Sequence, residues 1–349
     1  MLGAVKAAHP KATITVLVSE NAYPFFVDDN RFDIVVSSDL YGRRPRKLPR
    51  LRKLAAAARL AARLGFGYDL VITFLGGTGV LNLIAWAVGR KRRIGYPHRY
   101  LRILTSGPSA YGDKGDFAAN LALLEAAGIS RPDGESPALL LNSAQRLAAK
   151  RLLAARGRIA QRPLIVFHSG SDWACQQWLP DRWAQLADRI IARYGSDIVF
   201  TGAAAENSYI EQIRRHMALP SISIAGETTL LGLAAVIAEA ALCVAVDSAA
   251  HDLAQALGIP AVAIAGPTMP EAPEGRSLHV VNRMLPEIRK TVLDCQGRFP
   301  LGLCHDYSCP LAGLKNVSVD RVLEEVSRLV FLPADTESMA GSAGHARSA

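Results

Sequence analysis

Residues 242–266 read LCVAVDSAAHDLAQALGIPAVAIAG, and their pattern decides the fold class. An apolar run ends in Asp247-Ser248, a short helical stretch follows, Gly258-Ile259-Pro260 turns the chain, and a second apolar run ends at Gly266. Two buried strands joined by a helix make a βαβ unit, the building block of a parallel sheet. Asp247 and Ser248 fall where the first strand gives way to the helix. A carboxylate or hydroxyl there caps the helix, and the free N–H groups of a helix start equally suit a phosphate. Taken alone, the unit favours the capping reading, since capped βα loops are common.

The same grammar recurs upstream. Residues 164–171 (LIVFHSGS) read as a strand ending in a small-residue loop, and Trp178-Leu179-Pro180 then opens a helix with proline near its first turn. Residues 197–202 (DIVFTG) form another strand, ending at Thr201-Gly202 and followed by a helix that carries Glu206. Ala225-Gly226 precedes a helix with Leu230, Leu233, Ala234 and Ile237 at helical spacing. Four strand ends thus carry Gly, Ser, Thr or Asp, and parallel α/β sheets bind ligands at the carboxyl ends of their strands. A nucleotide diphosphate suits such a row.

In order along the chain, HSGS (168–171), QWLPDRW (177–183), TGAAAE (201–206), AGETTLLGLAAVIAEA (225–240) and VDSAAHDLAQALGIPAVAIAGPT (246–268) resemble glycosyltransferase family 9, the ADP-heptose–lipopolysaccharide heptosyltransferases. The resemblance covers roughly residues 1–330 and is strongest between Leu164 and Thr268. It implies α/β architecture with two Rossmann-like domains facing across a cleft, the GT-B arrangement. The donor nucleotide would lie on the C-terminal domain and the acceptor on the N-terminal one. The division expected is 1–128 for the acceptor-side domain, 129–162 for a linker and connecting helix, 163–330 for the donor domain and 331–349 for a disordered tail.

By the same resemblance, Ser169, Gly170 and Ser171 approach the donor phosphates, with Thr201 and Gly202 beside them. Glu206 would hold the ribose hydroxyls, although a first-turn helix acid is also explained by the helix dipole. Asp247 and Ser248 match the family's Asp-Ser/Thr pair, but Ala249 stands where a glycine is usual. Asp252 occupies the place of the family histidine, while His251 comes one residue early. Gln176 replaces a phosphate-binding lysine, and the charge-assisted bond it forgoes is worth about 1.5–3 kcal/mol.

The N-terminal segment Met1–Pro10 resembles the end of the family's first helix, so the family's first strand and its Gly-rich loop, which carries the general base, are expected to be missing and this domain to be truncated. A missing central strand would leave backbone groups unpaired. No catalytic base is assigned: Asp113 and Asp116 read as helix caps. The chain would then transfer sugar very poorly.

Charge is divided sharply. Residues 1–160 hold 25 Lys and Arg against 11 Asp and Glu, and residues 161–349 hold 15 against 20. RRPRKLPRLRK (43–53) and RKRRIGYPHRYLR (90–102) dominate the basic half, and a helix from about Lys47 to Leu64 offers Leu48, Leu51, Leu54 and Ala58 on one face beside Arg50 and Arg52. Such runs suit an anionic glycolipid acceptor and peripheral contact with a membrane surface, or else form an ordinary solvated face. The asymmetry favours the acceptor reading, with no nucleic-acid partner expected. No apolar stretch reaches the ~18 residues of a membrane span and no secretory core is seen at the start, so the expected location is cytoplasmic, either free or peripheral on the inner face of the membrane.

Of five cysteines, Cys175 and Cys243 read as fillers beside strands. Cys295, His305, Cys304 and Cys309 could make a tetrahedral zinc or iron site, although their spacing matches no zinc finger. No metal or cofactor is needed for the expected chemistry. The activity expected is transfer of a sugar, a heptose, from a nucleotide donor to a lipopolysaccharide core acceptor. The competing reading is a catalytically impaired nucleotide-binding or assembly protein of the same fold. A nicotinamide-linked enzyme is disfavoured, since no strand-to-helix turn carries GxGxxG.

Overall fold

The computed structural model describes residues 2–40, 49–74, 79–96, 104–108, 115–130, 139–171, 176–265, 277–281, 314 and 317–330. The chain divides into two compact units, Met1–Gln145 with Thr229–Gly232, and Arg146–Thr228 with Leu233–Ala349.

The first unit runs α1 (Leu2–Ala8), β1 (Thr15–Ser19), β2 (Ile34–Ser38), α2 (Arg50–Leu64), β3 (Tyr68–Thr73), α3 (Gly79–Val88), β4 (Gly89–Gly95) and α4 (Gly115–Ala126). β1 pairs with β2 and β3 with β4, both parallel. Among the described residues no ladder joins β1 to β3, but the Tyr68 hydroxyl at the start of β3 lies 3.1 Å from Thr15 Oγ1 at the start of β1. One core lies beneath α2 and α3, around Val36, Leu60, Leu81 and Ile84; a second joins Ala4 of α1 to Ile94, Leu123 and Leu124. β4 reads GRKRRIG, four cations in a row that the hydrophobic pattern does not mark as a strand. Parallel pairing with β3 holds it, and the Arg93 guanidinium donates to the carbonyls of Leu104 and Gly89.

The second unit follows α5 (Ser143–Ala155) with β5 (Leu164–His168), α6 (Pro180–Tyr194), β6 (Asp197–Thr201), α7 (Asn207–His216), β7 (Ile222–Ser223), α8 (Leu230–Ile237), β8 (Leu242–Val246), α9 (Ala249–Ala256), β9 (Ala261–Ala265), β10 (Ser277–Val281) and α10 (Val319–Val330). Its six strands are parallel in the order β10-β9-β8-β5-β6-β7. Leu164–Phe167 and the whole of β8 are buried, as expected of strands covered on both faces. Trp178 and Trp183, fully buried, cross edge to face with centroids 5.3 Å apart, and Trp183 also meets Phe167 at 5.1 Å. Trp178 Nε1 and Arg182 Nη1 both donate to the carbonyl of Val317, tying the start of α6 to the approach of α10. Among the described residues no helix is long and apolar enough to cross a membrane.

Candidate active site

The strand order creates the site. The chain passes from β5 outward to β6 and β7, then returns to lay β8 on the other side of β5 and continues outward to β9 and β10. The loops after β5 and β8 therefore diverge, leaving the crevice at a topological switch point where open α/β sheets bind ligands. The registers His168↔Thr201 and His168↔Ala245 bring the ends of β6, β5 and β8 level, so that the loops beginning at Gly202, Ser169 and Asp247 leave one edge side by side.

A single side chain spans the crevice. Gln176, almost fully buried, accepts from Ser171 Oγ at 2.8 Å, while its Nε2 donates to Asp247 Oδ2 at a longer 3.4 Å. Gln177 Nε2 steadies the same loop through the Ser171 carbonyl at 2.8 Å. The linking side chain is an uncharged amide that joins a hydroxyl to a carboxylate. Ser169 is fully buried and its Oγ has no hydrogen-bond partner among the described residues. Such a hydroxyl costs about 1–3 kcal/mol if nothing meets it.

On the far side of the β5 loop stands Glu206. It ends a short 3₁₀ turn (Ala204–Glu206), and its Oε2 accepts from the backbone N–H of Ala203 at 2.7 Å. The carboxylate lies directly over two glycines. A Cβ on Gly170 would stand 2.1 Å from Glu206 Cδ, and one on Gly202 would stand 2.6 Å from Oε2. Only glycine admits the carboxylate at both strand ends. Asp247 and Glu206 thus occupy the same sheet edge, flanking Ser169–Ser171.

Ser248 is the N-cap residue of α9, yet its side chain makes no cap bond and its buried Oγ has no partner among the described residues. The capping reading of Ser248 therefore fails. Ala249 opens the helix. His251 is 1% exposed with Nδ1 3.7 Å from Asp252 Oδ1, whereas the Asp252 side chain is 79% exposed. One residue of offset turns a helical side chain by about 100°, which is why the histidine goes inward and the aspartate outward.

Thr201 is less available than its position suggests. Its Oγ1 accepts from His168 Nδ1 at 2.9 Å in the tautomer that protonates Nδ1, and it donates to the Phe167 carbonyl at 3.3 Å. Burial pushes the His168 pKa down to about 4, so the imidazole is neutral near pH 7. The sequence signal for His168 is its place as the last strand residue before Ser169-Gly170-Ser171.

Three carboxylates of the first unit are taken up by structural bonds. Asp29 pairs with Arg31, Asp33 accepts from the Ile14 N–H, and Asp69 pairs with Lys91; each is held below the usual carboxylate range, chiefly by that partner. Asp113 and the side chain of Asp116 lie outside the described residues, as do Cys175, Cys295, Cys304, His305 and Cys309. No group of three or more His, Cys, Asp or Glu among the described residues is arranged to hold a metal. Cys243 is a free, buried thiol in β8, pushed up to about 12 by burial.

Fold and site together define a two-unit parallel α/β protein with its polar cluster at a switch point of the second unit's sheet. The sequence profile of glycosyltransferase family 9 (heptosyltransferase) matches residues 57–289, and the chain belongs to that family. It is 34% identical over 108 residues to lipopolysaccharide heptosyltransferase 1 of Pseudomonas aeruginosa, covering 31% of this chain and 30% of the relative. Over 120 residues it is 30% identical to lipooligosaccharide heptosyltransferase 2 of Haemophilus influenzae, covering 32% and 34%. The matched stretches thus span about a third of the length of those relatives. Among solved structures, the glycosyl transferase family 9 protein of Veillonella parvula superposes with a TM-score of 0.76 at 20% identity, covering 94% of this chain and 91% of the other. The ADP-heptose LPS heptosyltransferase II of E. coli superposes at 0.66 with 19% identity, covering 94% and 92%. At those identities the likeness speaks to the fold.

Proposed function

We propose that the protein is a glycosyltransferase of lipopolysaccharide core assembly, moving a heptose from ADP-heptose to an anionic glycolipid acceptor. The observation that carries this is the Ser171–Gln176–Asp247 bridge across the switch point, with Glu206 over Gly170 and Gly202 beside it. In this reading the Glu206 carboxylate receives the ribose hydroxyls of the donor. The diphosphate lies against the Ser169–Ser171 loop, and the hydroxyls of Ser169 and Ser248 supply donors that no described residue uses. In the reaction, the anomeric C–O bond to the diphosphate breaks as the acceptor oxygen bonds to that carbon. The acceptor's proton passes to water, and the negative charge leaves with ADP, where backbone N–H groups stabilise it. The work is done at the cytoplasmic face of a membrane that bears the acceptor.

Names of family relatives support this donor: one similar solved chain is an ADP-heptose LPS heptosyltransferase. The test is release of ADP from ADP-heptose in the presence of heptose-free lipopolysaccharide core. Acceptor-dependent release that is lost in Asp247→Ala supports the proposal; release independent of acceptor, or none at all, counts against it. A second reading, a nucleotide-binding protein without transferase activity, draws on the neutral Gln176, the inward His251 and the outward Asp252. Under it, ADP binds and no sugar moves.

A further inference from the structure

We infer that the outward face of α2 docks on an anionic phospholipid bilayer. This deepens the proposed function, whose acceptor is a membrane glycolipid, but its observations stand without that reading. α2 buries Ala57, Leu60 and Ala61 in the core shared with α3. A helix so seated ordinarily turns polar residues to water. Here one exposed flank of the helix is apolar: Leu51 is 81% exposed and Leu54 52%, with Ala55, Ala58 and Ala62 exposed beside them. Phe66, just past the helix end at Gly65, is 70% exposed.

Alongside this stripe Arg52, Arg59 and Arg63, spaced by seven and four residues, form an exposed row. None of the three makes an ion pair with a described residue. The helix carries no acidic residue, and residues 43–102 hold fifteen Lys and Arg against the single acid Asp69, which is paired with Lys91. Cations alone would suit any polyanion. Exposed leucines beside them suit a surface that presents phosphates above hydrocarbon, where an amphipathic helix lies in the interface plane with its apolar side about 5–10 Å deep. A nucleic acid has no use for Leu51 and Leu54.

The experiment is co-sedimentation of the full chain with vesicles of phosphatidylglycerol and phosphatidylcholine, or of phosphatidylcholine alone, with neither donor nor acceptor present. The expected result is binding to the anionic vesicles only, weakening as salt is added. Leu51→Gln with Leu54→Gln should lower the partition coefficient roughly tenfold at any salt concentration. Arg52→Gln with Arg59→Gln and Arg63→Gln should lower it roughly a hundredfold at low salt. Circular dichroism and ADP calorimetry on each variant report folding and the other unit independently. Failure of the donor reading would appear as absent ADP binding with vesicle binding intact. The inference is overturned if the wild-type chain ignores anionic vesicles. It is equally overturned if the leucine variant binds them as tightly as the wild type while the arginine variant does not, since that pattern is adsorption of a cation to any polyanion.

Discussion

Replacing Gly170 with Ala probes the donor site through one methyl group. Gly170 does not have a left-handed φ, so the backbone accepts alanine and the effect is confined to the space above it. The new Cβ would stand 2.1 Å from both Cδ and Oε1 of Glu206 and 2.5 Å from Oε2. An ordinary contact needs about 3.4 Å, so the carboxylate must retreat by more than 1 Å, and the 2.7 Å bond from the Ala203 N–H is then lost. That N–H is exposed and can turn to water, which places the stability cost near 1 kcal/mol, below the range for a buried charged bond. A cost of that size lowers Tm by about 2–4 °C in a domain of this size. If Glu206 receives the ribose, the displaced carboxylate gives up bonds worth about 1.5–3 kcal/mol, and calorimetry should show ADP bound roughly 10- to 100-fold more weakly. Gly202→Ala, whose Cβ would meet Oε2 at 2.6 Å and Ile210 Cδ1 at 3.1 Å, should act in the same direction. An unchanged ADP affinity in Gly170→Ala, with the fold intact, would refute the role given to Glu206.

Ser248→Ala should leave stability unchanged or raise it by up to about 1–3 kcal/mol in urea unfolding, because its buried hydroxyl makes no cap bond and meets no described partner, while weakening ADP binding. A loss near 1 kcal/mol with unchanged affinity would restore the capping role. His168 has a folded pKa near 4, below its unfolded value near 6.5, so the unfolded chain binds the extra proton between those limits. Its contribution is therefore complete above about pH 6.5 and declines by roughly 1.4 kcal/mol per pH unit down to pH 4. Urea unfolding across that window should show a flatter profile in His168→Gln than in the wild type. Trp183→Ala, which empties a fully buried site against Trp178 and Phe167, should cost about 3–5 kcal/mol, read as a shift in the urea midpoint without a change in slope.

What could be read from residues alone follows from which interactions leave a trace in sequence. β5, β6, β8 and β9 are sandwiched between helix layers, so they are written as continuous apolar runs, and Pro180 and Gly195 bracket α6 in the expected way. β4 is not, because its residues are cations whose strand state comes from pairing with β3 and not from burial. Leu51, Leu54 and Ala58 do share a face of α2, but helical spacing does not say which face is the inner one, and the core takes Ala57, Leu60 and Ala61 instead. In the site, the loops after β5, β6 and β8 were legible because small residues at strand ends are a local signal. The partners were not. That Thr201 faces His168, and that Gln176 reaches Asp247 71 residues away, are consequences of strand order. The offset that buries His251 and exposes Asp252 likewise depends on where α9 begins.

The most direct measurement is a crystal structure of the protein with ADP. The nucleotide is expected at the carboxyl edge between β5 and β8, with the ribose hydroxyls on the Glu206 carboxylate and the diphosphate against Ser169–Ser171 and the start of α9. ADP bound elsewhere, or at this edge without contact to Glu206 and the β5 loop, would contradict this assignment.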